Sequence, residues 1–266
     1  MSTLPFSLLA IALYLVSSSY IGKQLWQNTL SKTPWLIGIA ALASISHAFA
    51  LFPALLTDQG LHLGFFNAAS LIALFIVVLV ILCNKYLTLN VLLAPIQVIA
   101  ALTIACAQFL PYGHMQPINE APGILAHIIF SVLAYGVISI AVVQSLLLLI
   151  QERQLRKRPV SSWLRSFPPL QTMESLLFSY LWSGWLLLSL SLLTGWLFLE
   201  DFFAQHLAHK TLLSSLAWVI FAVLLWGRHR LGWRGHKAIR LTLAGFSLLM
   251  LAYFGSKLVR EFILTS

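Results

Sequence analysis

The chain has 266 residues, of which 60% are hydrophobic and only 9% are charged. A soluble protein of this size could not bury so much apolar surface, so the composition excludes a soluble globular domain and indicates an integral membrane protein. The formal net charge of +9 would suggest nucleic-acid binding in a soluble chain. In a membrane protein it reflects basic cytoplasmic loops and attraction to anionic lipid, so no nucleic-acid partner is expected.

Eight apolar stretches follow one another along the chain, each about the length needed to cross a bilayer. Backbone polar groups cannot be left unpaired in hydrocarbon, so each stretch is expected to be a helix. Pro95 and Gln97 interrupt the fourth stretch, and Gly184 and Gly195 interrupt the sixth. Neighbouring helices can compensate, so both stretches are predicted as single helices. The predicted helices are 4–22, 34–53, 66–84, 88–107, 124–150, 174–199, 211–227 and 239–259.

The predicted fold class is therefore all-α: a polytopic membrane protein, a bundle of eight transmembrane helices that forms one domain over residues 1–266. Of the 16 Lys and Arg residues, 13 lie in alternate loops, which places those loops in the cytoplasm and both termini outside.

The longest cytoplasmic connection, residues 151–173, mixes basic residues with Trp163, Leu164 and Phe167. It is expected to lie on the inner membrane surface, and docking of a soluble partner there is the alternative.

Histidines dominate the few polar side chains at membrane depth, where burial in lipid usually requires a compensating role. His47 and His127 lie inside apolar helices, about 9 Å and about 5 Å below the predicted outer ends. Two imidazoles at similar depth could ligate one haem iron axially; two unrelated core histidines are the alternative. The remaining histidines except His229 lie in predicted loops and are expected to be ordinary polar residues: His62, His114, His206, His209 and His236.

His229 ends the seventh predicted helix at the inner face, in the sequence LLWGRHRLGWRGHKA. It is expected to be an interfacial residue, or else to ligate a second haem or help hold a haem that enters from the cytoplasm. Arg228, Arg230 and Arg234 lie beside it and could pair with haem propionates. They also satisfy the preference for basic cytoplasmic loops, which requires no ligand.

Three segments, GILAHIIFSVLAYG, LAWVIFAVLLWGRHRLGWRGHKA and GFSLLMLAYFGSKLV, resemble the membrane cytochrome c assembly superfamily of CcsA- and CcmC-like haem-handling proteins. Within it, the chain is most similar to the short YpjD-like and HemX-like branch. The resemblance implies a bacterial inner-membrane protein that binds haem b and holds or moves it for cytochrome c maturation. It implies that His47, His127 and His229 are the ligand histidines, with haem, lipid and other maturation or membrane proteins as partners.

Two features of that superfamily are missing. The tryptophan-rich WxWD segment before the seventh helix is replaced by EDFFAQHLAHKTLLSSLAW, and no histidine follows the last helix. The chain also lacks an HExxH motif, a phosphate-binding glycine loop and a nucleophile elbow, so binding or handling is expected rather than catalysis. Two alternatives without haem stay open: a transport or ion-homeostasis accessory protein, and a membrane scaffold that regulates a partner through residues 151–173.

Overall fold

The structure is a computed structural model that describes residues 3–27, 34–57, 60–83, 90–110, 122–156, 167–198 and 205–258. Within these ranges the chain forms eight long helices, and each is long and apolar enough to cross a membrane. They are α1 (Leu4–Trp26), α2 (Pro34–Leu55), α3 (Phe65–Cys83), α4 (Asn90–Phe109), α5 (Pro122–Leu155), α6 (Leu170–Phe198), α7 (Gln205–Leu231) and α8 (Gly235–Met250). The predicted all-α class with eight transmembrane helices is confirmed.

Two local features add to this pattern. A π-helical turn, Leu251–Gly255, and a final helical turn, Ser256–Leu258, continue α8. A short antiparallel hairpin between α2 and α3 pairs Leu56–Thr57 with Gly60–Leu61. Neither feature changes the number of membrane crossings.

Several helices extend beyond the apolar stretches that predicted them. α5 continues to Leu155 and α6 already begins at Leu170, directly after Pro168 and Pro169. Proline is compatible with a helix start because its missing N–H would be unpaired there anyway. Polar residues at these ends continue the helix outside the hydrocarbon, which an apolar window cannot detect. Residues 157–166 of the predicted surface connection lie outside the described residues, so its location on the inner membrane surface stays a prediction.

Contacts divide the chain into two compact units. The first unit comprises Met1–Asn119 with Gln154–Pro168, and the second comprises Glu120–Arg153 with Pro169–Ser266. In the first unit, α1 and α3 each pack against both α2 and α4, so the four helices form a closed ring. Tyr14 and Val77 are fully buried inside this ring. The organisation of residues 1–266 as one domain stays a prediction.

The second unit is also held together helix by helix. α7 packs against α6 and α8. Gln144 on α5 donates from Nε2 to the carbonyl oxygen of Met173 on α6 at 2.9 Å, and Tyr135 on α5 donates to the carbonyl oxygen of Leu249 on α8. Side-chain to backbone bonds of this kind give α5 a fixed register against both neighbours in a medium where apolar contacts alone are weakly directional.

The interruptions noted in the sequence are accommodated inside single helices. Pro95 lies within α4, where the neighbouring carbonyl oxygen of Ala94 accepts a 2.9 Å hydrogen bond from Ser18 Oγ on α1. Gly184 lies within α6 at a close approach to α5, since a Cβ atom there would lie 2.6 Å from Ile138 Cγ1. The Ser18 bond joins α1 to α4 beside the proline, and proline and glycine are both tolerated in membrane helices that pack against neighbouring helices.

Candidate functional site

His127 lies in the second turn of α5, where a backbone carbonyl group fixes its ring. Its Nδ1 atom lies 2.7 Å from the carbonyl oxygen of Ser191 on α6. A carbonyl oxygen can only accept, so Nδ1 carries the proton, and the neutral ring then has its lone pair on Nε2. Among the described residues, Nε2 of His127 has no hydrogen-bond partner. This is the tautomer that a histidine needs to bind a metal ion through Nε2.

Hydroxyl groups on both helices hold this arrangement in register. Ser131 Oγ donates to the His127 carbonyl oxygen at 2.8 Å and lies 2.7 Å from Ser191 Oγ. Thr194 Oγ1 lies 3.0 Å from the same Ser191 carbonyl oxygen that accepts from His127. The half-buried imidazole is therefore tied to one position of α6 by a small polar network, and its Nε2 edge is left available.

His47 has different surroundings, in the first unit. It is fully buried, and its Nε2 atom lies 2.8 Å from Ser70 Oγ on α3. Its Nδ1 atom lies 3.5 Å from the hydroxyl of Tyr14 on α1, and that hydroxyl lies 3.2 Å from Ser44 Oγ on α2. Both ring nitrogens thus face hydroxyl groups. An iron atom could reach Nε2 only if Ser70 turned away.

A polar cavity borders His47 at the end of the first unit that contains the start of α1 and the end of α2. It has a volume of about 190 Å³. Among the described residues, its polar lining consists of Thr3, Ser7, His47, Asn67, Ser70 and Gln108, and its remaining lining is alanine, leucine and isoleucine. An engineered cavity of about 150 Å³ in another protein binds benzene. The described part of the cavity beside His47 is therefore large enough for one small ring.

His229 lies at the end of α7 and is exposed. The arginine next to it is already engaged, because Arg228 Nη1 donates to the carbonyl oxygen of Trp233 at 3.3 Å and its guanidinium group lies 4.6 Å from the centre of the Phe178 ring. Arg230 and Arg234 are exposed. The structure thus gives Arg228 a role in the turn between α7 and α8, and it leaves Arg230 and Arg234 accessible to an anionic group.

The other histidines are distributed as follows. His62 is half-buried before α3, and its Nε2 atom has no hydrogen-bond partner among the described residues. His209 is exposed on α7, and His236 Nε2 lies 3.6 Å from Glu152 Oε2. His114 and the side chain of His206 lie outside the described residues. Within the described residues, no group of three or more His, Cys, Asp or Glu side chains is arranged to hold a metal ion. A haem iron needs only one or two axial side chains, so that finding concerns other kinds of metal centre.

Sequence reasoning identified the histidines but missed the hydroxyl and amide groups that surround them. Ser191 lies seven residues after Gly184 on α6, and Asn67 and Ser70 lie one turn apart on α3. Each is a polar residue within an apolar helix, which is the signal that singled out His47 and His127. Ser, Asn and Gln are common enough in membrane helices that the signal is weak until the neighbouring helix is known.

Comparison with known proteins adds the following. Residues 35–264 match the family described as "Cytochrome C assembly protein". The chain is 32% identical over 260 residues to "Inner membrane protein YpjD" of Escherichia coli strain K12, which covers 97% of this chain and 98% of that protein. It is 24% identical over 218 residues to "Protein HemX" of Brevibacillus brevis, covering 78% of this chain and 80% of that protein.

A third relative is the "Uncharacterized 28.8 kDa protein in nifR3-like 5'region" of Azospirillum brasilense, which is 34% identical over 178 residues, 65% of this chain and 66% of that protein. No solved structure matches the chain. The match over most of the chain and the eight membrane-length helices agree with the resemblance drawn from the sequence. The chain therefore belongs to the cytochrome c assembly protein family, in its YpjD-like branch, and is a multi-pass inner-membrane protein.

Proposed function

We propose that this protein binds haem b within the membrane and holds or transfers it for cytochrome c maturation, with His127 as an axial ligand of the iron. The observation that carries the proposal is the 2.7 Å contact between His127 Nδ1 and the Ser191 carbonyl oxygen. Histidines that bind metal ions almost always donate their other ring N–H to a carboxylate, a carbonyl oxygen or water, which fixes the ring and raises its basicity.

Membership of the family supports the coarser part of this proposal, a role in cytochrome c assembly. The chemistry of His127 supports the finer part, because the ring is half-buried, oriented and provided with a lone pair on Nε2. His127 would hold the haem iron through Nε2 while Nδ1 stays bonded to the Ser191 carbonyl oxygen. His47 and His229 stay predictions for that role. His47 needs Ser70 to move, and His229 is exposed at the other end of its own unit.

The test is the haem content of the purified, detergent-solubilised protein from cells with ample haem. Pyridine haemochrome and reduced-minus-oxidised spectra would be compared for wild type, His127→Ala, His47→Ala and His229→Ala. His209→Ala is the matched control, because His209 is an exposed histidine on α7. We expect a b-type spectrum in wild type and in the control, and its loss in His127→Ala.

Added imidazole distinguishes a protein that has lost only the iron ligand from a protein that has lost its fold. In His127→Gly, added imidazole should restore the spectrum by filling the site of the missing ring. A His127→Ala protein with the haem content and spectrum of wild type would refute ligation by His127. Wild-type protein without haem would favour the accessory or scaffold alternatives and leave the family assignment unchanged.

A further inference from the structure

The hydroxyl group of Ser191 is directed away from its own helix. A serine or threonine within a helix commonly donates to a carbonyl oxygen three or four residues earlier. Five other hydroxyl side chains of α6 do so: Ser175, Ser179, Ser183, Ser189 and Thr194. Ser191 is only 3% exposed, and its Oγ atom lies instead 2.7 Å from Ser131 Oγ on α5. The bond across to α5 thus replaces a bond that α6 itself could have provided.

The directions of the hydrogen bonds around Ser191 follow from which groups carry protons. Ser131 has a single hydroxyl proton, and the His127 carbonyl oxygen 2.8 Å away can only accept, so Ser131 donates there. Ser191 Oγ must then donate to Ser131 Oγ. His127 Nδ1 donates in turn to the Ser191 carbonyl oxygen. The three bonds form a closed network, in which Ser191 donates through its side chain and accepts through its backbone.

This network supplies direction where packing supplies only distance. On one side of it, Gly184 has no space for a Cβ atom beside Ile138. On the other side, Gly123 has none beside the Phe198 ring. Such close packing sets the separation of two helices but only weakly their rotation. Among the described residues, the hydrogen bonds that join α5 before Ile138 to α6 after Gly184 both involve Ser191.

We infer that Ser131 is a positioning residue for His127: through Ser191, its hydroxyl holds the imidazole in the tautomer with a proton on Nδ1 and a free lone pair on Nε2. The consequence for haem rests on the proposed function, whereas the tautomer is a property of the protein without haem. Without the Ser131 hydroxyl, the bond from His127 to Ser191 is the one hydrogen bond left between these parts of the two helices. The imidazole is then less firmly oriented, and the tautomer with a proton on Nε2 becomes populated.

Four variants test this inference. Ser131→Ala removes the hydroxyl, and Ser131→Thr keeps it as the rescue variant. Ser191→Ala opens the same network from the other helix and serves if Ser131→Ala does not fold. Ser183→Ala is the matched control, because Ser183 is exposed and donates only within α6. Since the Ser131 and Ser191 hydroxyls act through one shared bond, the variant with both alanines should behave like either single variant.

The first measurement uses the full-length, haem-free protein in detergent and nitrogen NMR of isotopically labelled histidine rings. The signals of His127 are those that disappear in His127→Ala. In wild type, Ser131→Thr and Ser183→Ala, we expect one protonated and one unprotonated ring nitrogen. In Ser131→Ala the two signals should shift toward each other, because both tautomers are populated and exchange.

The second measurement is the rate at which the haem-loaded protein loses haem to an excess of haem-free globin. We expect loss about tenfold faster in Ser131→Ala than in wild type, the lower end of the effect of disturbing the partner of a metal-binding histidine. The reduction potential of the haem should also rise, because a more weakly held N–H group leaves the imidazole a poorer ligand for ferric iron. Ser131→Thr and Ser183→Ala should match wild type in both respects.

Three results would overturn the inference. They are unchanged ring signals in folded Ser131→Ala and Ser191→Ala proteins, equal effects of Ser131→Ala and Ser131→Thr, and additive effects of the two alanine substitutions. Unchanged haem loss in Ser131→Ala would overturn the link between the tautomer and haem. Wild-type protein that binds no haem would overturn the proposed function instead, while the ring signals would still decide whether Ser131 positions His127.

Discussion

Gly184 sets the separation between α5 and α6, and with it the position of the carbonyl group that orients His127. A Cβ atom at Gly184 would lie 2.6 Å from Ile138 Cγ1 and 3.5 Å from the Ile138 backbone nitrogen, whereas ordinary contact begins at 3.4 Å. Ile138 is fully buried, so its side chain has no space into which it can turn. Gly184→Ala should therefore push the two helices apart by about 0.8 Å, at a cost of roughly 1–3 kcal/mol.

The same displacement would also change the surroundings of His127, the candidate haem ligand. Ser191 lies two helical turns after Gly184 on the same face of α6, and Ser131 lies two turns before Ile138 on α5. If the helices separate by about 0.8 Å, the 2.7 Å bond between His127 and the Ser191 carbonyl oxygen lengthens to about 3.5 Å. That exceeds a normal hydrogen bond, so Gly184→Ala should lower haem retention as well as thermal stability.

A double-mutant cycle with Ile138→Ala tests the mechanism, with melting temperature and haem content as the two measurements. Ile138→Ala removes the clashing Cγ1 atom, so Gly184→Ala should be much less harmful in that background than in wild type. Gly38→Ala is the control, since a Cβ atom there meets nothing within 4 Å and alanine favours the helix. A Gly184→Ala protein as stable as Gly38→Ala, or additive effects in the cycle, would refute the reasoning.

Three further predictions concern separate parts of the chain. Gln97→Leu should raise stability by about 1–2 kcal/mol, measured by thermal unfolding, because it removes a fully buried amide without partners in the described residues; a loss of stability would show that the amide is paired. Glu174→Leu should destabilise the start of α8 by about 1–2 kcal/mol, because Glu174 Oε1 accepts from the Gly235 N–H at 3.0 Å, whereas Glu174→Gln keeps an acceptor and should stay within about 0.5 kcal/mol. Alkaline phosphatase fused after Ser266 should be active and a fluorescent protein fused there should be dark, because both termini are predicted to lie outside; the reverse result would invert the topology.

The helices could be predicted from the sequence because a membrane span requires a long apolar segment, which can be recognised in the local sequence alone. The residues at which the helices begin and end could not be predicted in this way. α7 begins six residues before the predicted position 211 and α6 begins four before 174, since polar residues continue a helix once it leaves the hydrocarbon. The π-helical turn of Leu251–Gly255 was also not predicted, and nothing in LAYFG distinguishes it from ordinary apolar helix.

The site was predictable only in part, for a different reason. Depth along a helix follows from residue count, so His47 and His127 could be recognised as membrane histidines. Hydrogen-bond partners depend on which face of the neighbouring helix lies opposite, and that is set by tertiary packing. The contact of His127 with Ser191 spans 64 residues of sequence, and the contact of His47 with Ser70 joins two helices whose relative rotation no local pattern determines.

These partners give the two histidines different chemical capacities. The Ser191 carbonyl oxygen can only accept, so it selects one tautomer of His127 and leaves Nε2 as the electron-pair donor. The hydroxyls of Ser70 and Tyr14 can each donate or accept, so His47 can adopt either tautomer and always has a hydroxyl at each nitrogen. A ring held in one tautomer with a free lone pair suits a metal ion, whereas a fully buried ring between two hydroxyls has both nitrogens already engaged. Two histidines that look equivalent by depth and apolar context therefore differ in how readily their ring nitrogens could bind an iron atom.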